Sequence, residues 1–424
     1  MTDNPSAADN TISVSIARQP IFNEKRHLWG YTIFCVGEAG PMQPPPLQED
    51  GVAVSVASSA YMGLQHIVER GKKVMIAFNE KSILAHLPYA LPPELTMIRV
   101  SREVLENASV AEVLSSLKAD GYALAVHGFS PVAGAEAIYD LADVISLEVQ
   151  GMTRPVLADI ISRTTRYACD LLAMQVRDGS QFLMCRDLGF TLFHGPFFKL
   201  PDTVEVRKLS SNEVSRFTLL HMLEQEQPDS DKLAEAIQSD VSISFRLLAY
   251  LNSAAFGLRQ KIKSIPQAIT LLGWRKMKNW LRVVLLNDMS QKAETPELMA
   301  VAVQRGRFLE QIAKDHDFWG FDPEILHLLG IFSLLDAMLG LPMTDIVTYL
   351  PLDPKLKAAL CREPNNEYQP LLQLAECYEE ARWEDGRQMV QQLNLNEAKV
   401  QAAFQASVDW ANEMASLHAA RPEK

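Results

Sequence analysis

Short β-rich runs alternate with helix-period stretches from residue 12 to about 201, and beyond that point the strand signal all but stops. The strand-like runs fall at 12–16, 28–34, 73–78, 97–100, 122–126, 144–147, 171–174 and 191–193. Between most of them lie amphipathic stretches at 55–69, 110–119, 133–141, 156–167 and 180–188. Such alternation is what successive βα units around a parallel sheet produce. Its extent suits a barrel related to (β/α)8 better than a small open sheet. The run Pro41-Met42-Gln43-Pro44-Pro45-Pro46 interrupts the first connection. It can be neither helix nor interior strand, so an exposed loop is expected there.

After Pro201 the polar stretch 202–212 reads as a linker, and helix signals then follow one another to about residue 417. Apolar residues at 243, 245, 247, 248, 251 and 255 trace a face wide enough to be core. Ser264-Ile265-Pro266-Gln267 is a helix start, with Pro in the first turn where its missing N–H costs nothing. Gly257, Gly273, Gly320 and Gly340 follow periodic runs as helix stops. The expected organisation is a disordered N-terminus (1–11), a barrel (12–201), a linker (202–212), an all-helical domain (213–414) and a tail (415–424). In class terms the chain is multidomain, α/β followed by all-α.

A length of 424 residues suits about two domains. The net charge of −12 disfavours nucleic-acid binding, which normally needs a basic stripe. The best candidate for a local basic patch, Arg275-Lys276-Met277-Lys278, reads as the solvated end of an amphipathic helix. The five cysteines show no CxxC spacing, as in a reduced cytoplasmic protein. The first ten residues are polar and acidic rather than a signal peptide, and no apolar run approaches a membrane span. A soluble protein with no membrane or nucleic-acid partner is expected.

The opening Arg18-Gln19-Pro20-Ile21-Phe22, then Gly30-Tyr31, resembles the start of the EAL family. The resemblance continues through Phe78-Asn79, Gly121-Tyr122-Ala123-Leu124-Ala125, Asp143-Val144-Ile145, Gly189-Phe190 and His194-Gly195, and covers about 12–201. It implies a modified (β/α)8 barrel of the kind that hydrolyses cyclic di-GMP with two divalent metals. Two-metal cleavage needs carboxylates to hold both cations and generate a hydroxide. On the family's pattern, the metal-binding Glu of the name motif falls at Thr32 and the substrate-gripping Arg at Val36. The next strand's Glu falls at Arg99, where a one-residue slip would offer Glu103 instead. The paired aspartates fall at His127 and Gly128, the strand Lys at Ser146, and the late Glu pair at Met174 and Arg177. Only the amide ligand, matching Asn79, is retained, and one Asn cannot hold Mg²⁺.

Each lost ligand removes transition-state stabilisation, and roughly every 1.4 kcal/mol is tenfold in rate, so a non-catalytic barrel without metal or cofactor is expected. Arg99 and Arg177 either receive a phosphate group or form ordinary ion pairs at the barrel mouth. An enzyme would need Glu103, Glu148 and Asp178 to converge around Asn79. His127 and His194 have no second ligand at metal spacing and read as hydrogen-bonded rim residues rather than ligands.

Farther on, Asp240 with its neighbours, then Leu251-Asn252-Ser253-Ala254-Ala255-Phe256-Gly257, resembles the HDOD domain. The likeness continues through Lys263-Ser264-Ile265, Ala268-Ile269 and Leu272-Gly273. An all-helical relative of the HD hydrolases is implied, usually without their metal ligands. The dyad position falls at Ser333-Leu334, which cannot bind a metal. His316-Asp317 spells the dyad out of register and reads as a helix-end pair. Asn252 and Ser253 read as capping residues, with partner contact as the alternative. Trp280 reads as core, whereas Trp274 is open between core and partner contact. The order of the two resemblances implies a non-catalytic bacterial signalling protein acting by contact with other signalling proteins, in motility and biofilm outputs linked to cyclic di-GMP. Homodimerisation is left open. The alternatives are a receptor that binds cyclic di-GMP without hydrolysis, or an active phosphodiesterase.

Overall fold

The computed structural model describes residues 14–37, 71–101, 104, 107–130, 136–200, 211–225, 230–239, 243, 247, 267, 271, 273–289, 295–316, 320–350 and 352–419. The chain divides into two compact units, Met1–Phe197 with Glu376–Val408, and Phe198–Ala375 with Asp409–Lys424. The sequence boundaries had placed everything from 213 to 414 in one helical domain. The segment Glu376–Val408 instead groups with the barrel. The expected N-terminal disorder, the proline-rich loop and most of the linker lie outside the described residues.

Eight strands close a barrel in chain order. They are β1 (Val14–Asn23), β2 (Leu28–Gly37), β3 (Lys73–Ala77), β4 (Thr96–Ser101), β5 (Ala123–His127), β6 (Val144–Glu148), β7 (Asp170–Met174) and β8 (Leu192–His194). Strands β2 to β8 pair in parallel, while β1 runs antiparallel to both β2 and β8. The alternation in the sequence does not reveal that reversal. Its cause is the short link after Asn23, because a parallel crossover needs a dozen or more residues. Asn23 Oδ1 fixes the turn by accepting the N–H groups of Lys25 and His27, each at 3.0 Å.

The barrel interior follows from strand periodicity, since every second residue faces inward. Ile21, Met75, Met97, Ala125, Val144, Leu172 and Leu192 make its apolar core. Two residues along these strands, toward the C-terminal ends of β3 to β8, come Gln19, Ala77, Arg99, His127, Ser146, Met174 and His194. That layer is where a barrel of this kind carries its chemistry. Helices α1 (Glu80–Leu84), α2 (Ala108–Ala119), α3 (Glu136–Leu141), α4 (Arg154–Thr164) and α5 (Gly179–Asp187) connect the strands.

In the second unit the described helices are α6 (Ser211–Leu223), α7 (Ser230–Ser239), α8 (Trp274–Met289), α9 (Thr295–Asp315), α10 (Pro323–Phe332), α11 (Leu335–Leu339), α12 (Met343–Ile346) and α13 (Pro354–Leu360). They are followed by α14 (Gln369–Glu379), α15 (Trp383–Gln392) and α16 (Glu397–Ala419), and the division between units passes within α14 and α16. Trp280, Leu281 and Leu285 are buried, as are Ile243 and Leu247 of the expected apolar face. Trp280 is therefore core; the side chain of Trp274 lies outside the described residues. Arg282 grips Glu224 with two buried hydrogen bonds, at 2.5 and 2.7 Å, and Lys278 of the basic cluster adds a third charge at 3.2 Å. A buried carboxylate is tolerable only with such pairing.

Helices α9 and α10 meet at Gly306 and Gly330, where the backbones nearly touch. A Cβ at Gly330 would lie 2.3 Å from the Gly306 nitrogen. Neither partner is the movable end of a side chain, so Gly330→Ala should cost about 3 kcal/mol or more by overpacking. Urea unfolding of the full chain measures this. A cost under ~1 kcal/mol would show that the crossing relaxes without strain.

Candidate functional site

The inward layer at the C-terminal ends of the barrel strands holds most of the residues singled out in the sequence. Thr32 on β2 stands opposite Gln19 on β1 and is 2% exposed. His127 Nδ1 lies 3.1 Å from Ser146 Oγ, and that hydroxyl lies 3.4 Å from the Val126 carbonyl. Because the carbonyl can only accept, the hydroxyl donates to it and accepts from Nδ1–H. His127 Nε2 then faces Glu148, 3.9 Å away, and Gln175 Nε2 donates to the same carboxylate at 3.4 Å. Gly128 N–H donates to the Ser146 carbonyl at 2.8 Å, with φ of +84°. Met174 packs into the apolar core and brings no oxygen.

Arg99 brings a guanidinium into this layer. Its proton affinity is lowered by burial and partly restored by the charge of Glu148. Across the barrel, His194 is 6% exposed, and its Nε2 lies 2.7 Å from Gln19 Oε1. Burial, and secondarily the charge of Arg99, pushes the His194 imidazole down to about 3. His194 is therefore neutral across the physiological range.

The carboxylates that an enzyme would need do not converge around Asn79. Asn79 Oδ1 caps α1 by accepting Ser82 N–H at 2.8 Å. Asp178 caps α5, accepting Gln181 N–H at 2.8 Å and the Ser180 hydroxyl at 2.6 Å. Those bonds, the Ser180 hydroxyl first, hold its carboxyl below the usual range. Glu148 stands on β6, separated from β3 by two strands. Arg177 is exposed after β7, its backbone N–H donating to Gln181, and among the described contacts it shares no partner with Arg99. Val36 sits on β2 opposite Ser15, beyond the last residue of β2 paired with β3. Glu103 lies outside the described residues. Among the described residues, one carboxylate, a helix-capping amide and an inward guanidinium do not fit a pair of divalent cations, which want several oxygen ligands in close array.

In the helical unit, the dyad position is filled. Ser333 Oγ accepts from Arg305 Nη1 and donates to the Gly330 carbonyl, both at 2.7 Å, and Leu334 is buried. Arg305 is 1% exposed, so its guanidinium lies buried beside that hydroxyl. His316 is buried and donates Nδ1–H to the Ile312 carbonyl at 3.0 Å, as a helix-end residue does. Asp317 lies outside the described residues, as do Asp240, Asn252, Ser253, Gly257 and Ser264. Gly273, with φ of +73°, directly precedes α8.

Three further residues have roles that the sequence does not assign. His327 and Glu310 face each other in the helical core at 3.6 Å, beyond hydrogen-bond reach. The third is Gln19, which joins the barrel to the C-terminal segment by donating Nε2–H to the Glu379 carbonyl at 2.6 Å. Counting back two residues from Ile21 would have put Gln19 inside the barrel; nothing in the sequence announces Glu379.

Residues 211–337 match the HDOD domain family. The chain is 27% identical over 409 residues to an uncharacterized Bacillus subtilis protein, YuxH, covering 95% of this chain and 98% of that one. It is 26% identical over 414 residues to the cyclic di-GMP phosphodiesterase CdgJ of Vibrio cholerae, covering 96% and 95%. A solved EAL domain protein from Listeria monocytogenes is similar to 44% of this chain and 87% of its own, at 16% identity and a TM-score of 0.37. The molecule is thus a closed eight-stranded barrel followed by a helical region that carries an HDOD domain. No single helix among the described residues is long and apolar enough to cross a membrane.

The buried histidines set a direction for acid stability. Burial first, then the charge of Arg282, pushes His327 down to about 4. Glu310 is driven up by burial, but its Lys314, His327 and Arg307 partners win and bring it to about 2. A histidine with a depressed folded pKa leaves the unfolded chain binding more protons below the ordinary value, so stability is lost as pH falls from about 6.5 toward 4. The depressed Glu310 adds a loss of the same sign at lower pH. Urea unfolding should show stability falling between pH 7 and 4, by roughly 2–3 kcal/mol for each of His194 and His327. His327→Gln should flatten that slope; an unchanged slope would remove His327 as its source.

Proposed function

We propose that this chain is a non-catalytic, cytoplasmic regulator in cyclic di-GMP signalling that acts through contacts with other signalling proteins. The observation that carries this reading is the inward guanidinium of Arg99 in a layer whose other members include Gln19, Thr32, Ala77, His127, Ser146, Met174 and His194. A two-metal hydrolase needs clustered carboxylates at that level. The whole-length likeness to a protein named a cyclic di-GMP phosphodiesterase supports the signalling context. The HDOD match supports a helical unit used for contact, since Arg305 and Ser333 fill its dyad position.

Arg99 also favours a second reading, in which the barrel mouth binds cyclic di-GMP without cleaving it. A guanidinium is suited to a phosphodiester oxygen, and half-burial strengthens that attraction. The purified chain, incubated with cyclic di-GMP and Mn²⁺ and then chromatographed, should return intact nucleotide. Linear product would contradict the non-catalytic reading. Calorimetry of the same mixture separates the other two. Heat that vanishes in Arg99→Met supports the receptor, and no heat from the wild-type chain leaves protein contact alone.

A further inference from the structure

The barrel mouth is covered on one side. Thr32 and His194, next to β1, are 2% and 6% exposed. On the opposite wall, the side chains of His127 and Glu148 are 31% and 57% exposed. On the covered side, Gln19 reaches the Glu379 carbonyl in the C-terminal segment that groups with the barrel. Glu379 ends α14, and the last carbonyls of a helix must find donors outside it. The turn beyond is compact: Arg382 N–H donates to the Cys377 carbonyl at 2.8 Å, and Ala381 adopts a left-handed φ of 55°. Behind it Tyr378 packs against Trp383 and Phe404, with ring centroids 5.8 and 5.2 Å apart.

The polarity of the three groups is forced. A backbone carbonyl only accepts, so Gln19 must present its Nε2 to Glu379 and its Oε1 to His194. His194 must then carry its proton on Nε2, which leaves Nδ1, a buried atom with no hydrogen-bond partner, as a bare lone pair inside the barrel. The tautomer of His194 thereby reports whether the C-terminal turn is seated.

We propose that residues 376–382 form a built-in stopper over the barrel mouth, latched by Gln19, whose seating is relayed to the barrel interior through the tautomer of His194. The stopper and relay stand on geometry alone. Their consequence for a nucleotide rests on the receptor reading, in which the stopper limits access to Arg99.

Two substitutions of Gln19 test the latch in the full chain. Gln19→Leu removes both hydrogen bonds, and Gln19→Glu removes only the one to Glu379, since a carboxylate still accepts from His194. Hydrogen exchange of the 380–382 amides should accelerate about fivefold in both variants, the effect of one lost hydrogen bond on a local opening. Peptides covering 154–164 should be unchanged, which excludes global unfolding. Nitrogen-15 spectra of labelled histidine should show His194 protonated on Nε2 in the wild type and in Gln19→Glu, and partly on Nδ1 in Gln19→Leu, with His194→Gln giving the assignment. Unchanged exchange at 380–382 in both variants would overturn the latch, and an unchanged tautomer in Gln19→Leu would overturn the relay. If the receptor reading holds, Gln19→Leu should bind cyclic di-GMP more tightly than wild type. Accelerated exchange with no nucleotide heat from any variant would uphold the latch and reject the receptor.

Discussion

Everything in the first unit depends on β1 pairing with a strand on each side. It pairs with β2 over the length of a hairpin and with β8 through Ile21, Phe22 and Asn23, and without that second seam the sheet would have two open edges. Closure sets which residues look inward, because one residue of slippage would turn every side chain of β1 to the other face. Ile21 then joins the core, Phe22 joins the aromatic cluster of Phe182 and Phe197, and Gln19 is left at the level of Thr32 and His194. The same strand that shuts the barrel therefore carries the side chain that meets the C-terminal segment.

Within that frame, the described residues of the mouth are polar but poor in negative charge. Among the described carboxylates, Asp178 caps a helix and Glu148 faces His127 and Gln175. The helical unit follows the same physical pattern. Arg305 donates to Ser333 at the dyad position, and the tight crossing of Gly306 on Gly330 brings the two helices together there. Each unit thus holds an arginine within its fold, Arg99 in the barrel layer and Arg305 beside Ser333.

Seven of the eight strands were legible to within a few residues, because short β-rich runs separated by helix-period stretches encode βα units directly, whereas the run expected at 12–16 is a strand over Val14–Asn23. Residues 144–147 became Val144–Glu148 and residues 171–174 became Asp170–Met174. The reversal of β1 was not legible, since period-2 patterning is the same in either direction. The inward residues at the mouth were legible only through the motif order that places Thr32, Arg99, His127 and Ser146. Their uses were not: that Asn79 and Asp178 cap helices depends on where the chain turns. The grouping of Glu376–Val408 with the barrel was illegible for a simpler reason. A contact between Gln19 and Glu379 spans most of the chain and leaves no local signal.

The most direct test is an electron paramagnetic resonance titration of the purified full-length chain with Mn²⁺, alone and with cyclic di-GMP present. If the barrel lacks the oxygen ligands for a cation pair, free Mn²⁺ signal should track added Mn²⁺ in the protein as in buffer. Saturable loss of signal at two ions per chain, abolished by replacing Asn79 or Glu148, would show that a metal pair assembles after all and contradict the non-catalytic assignment.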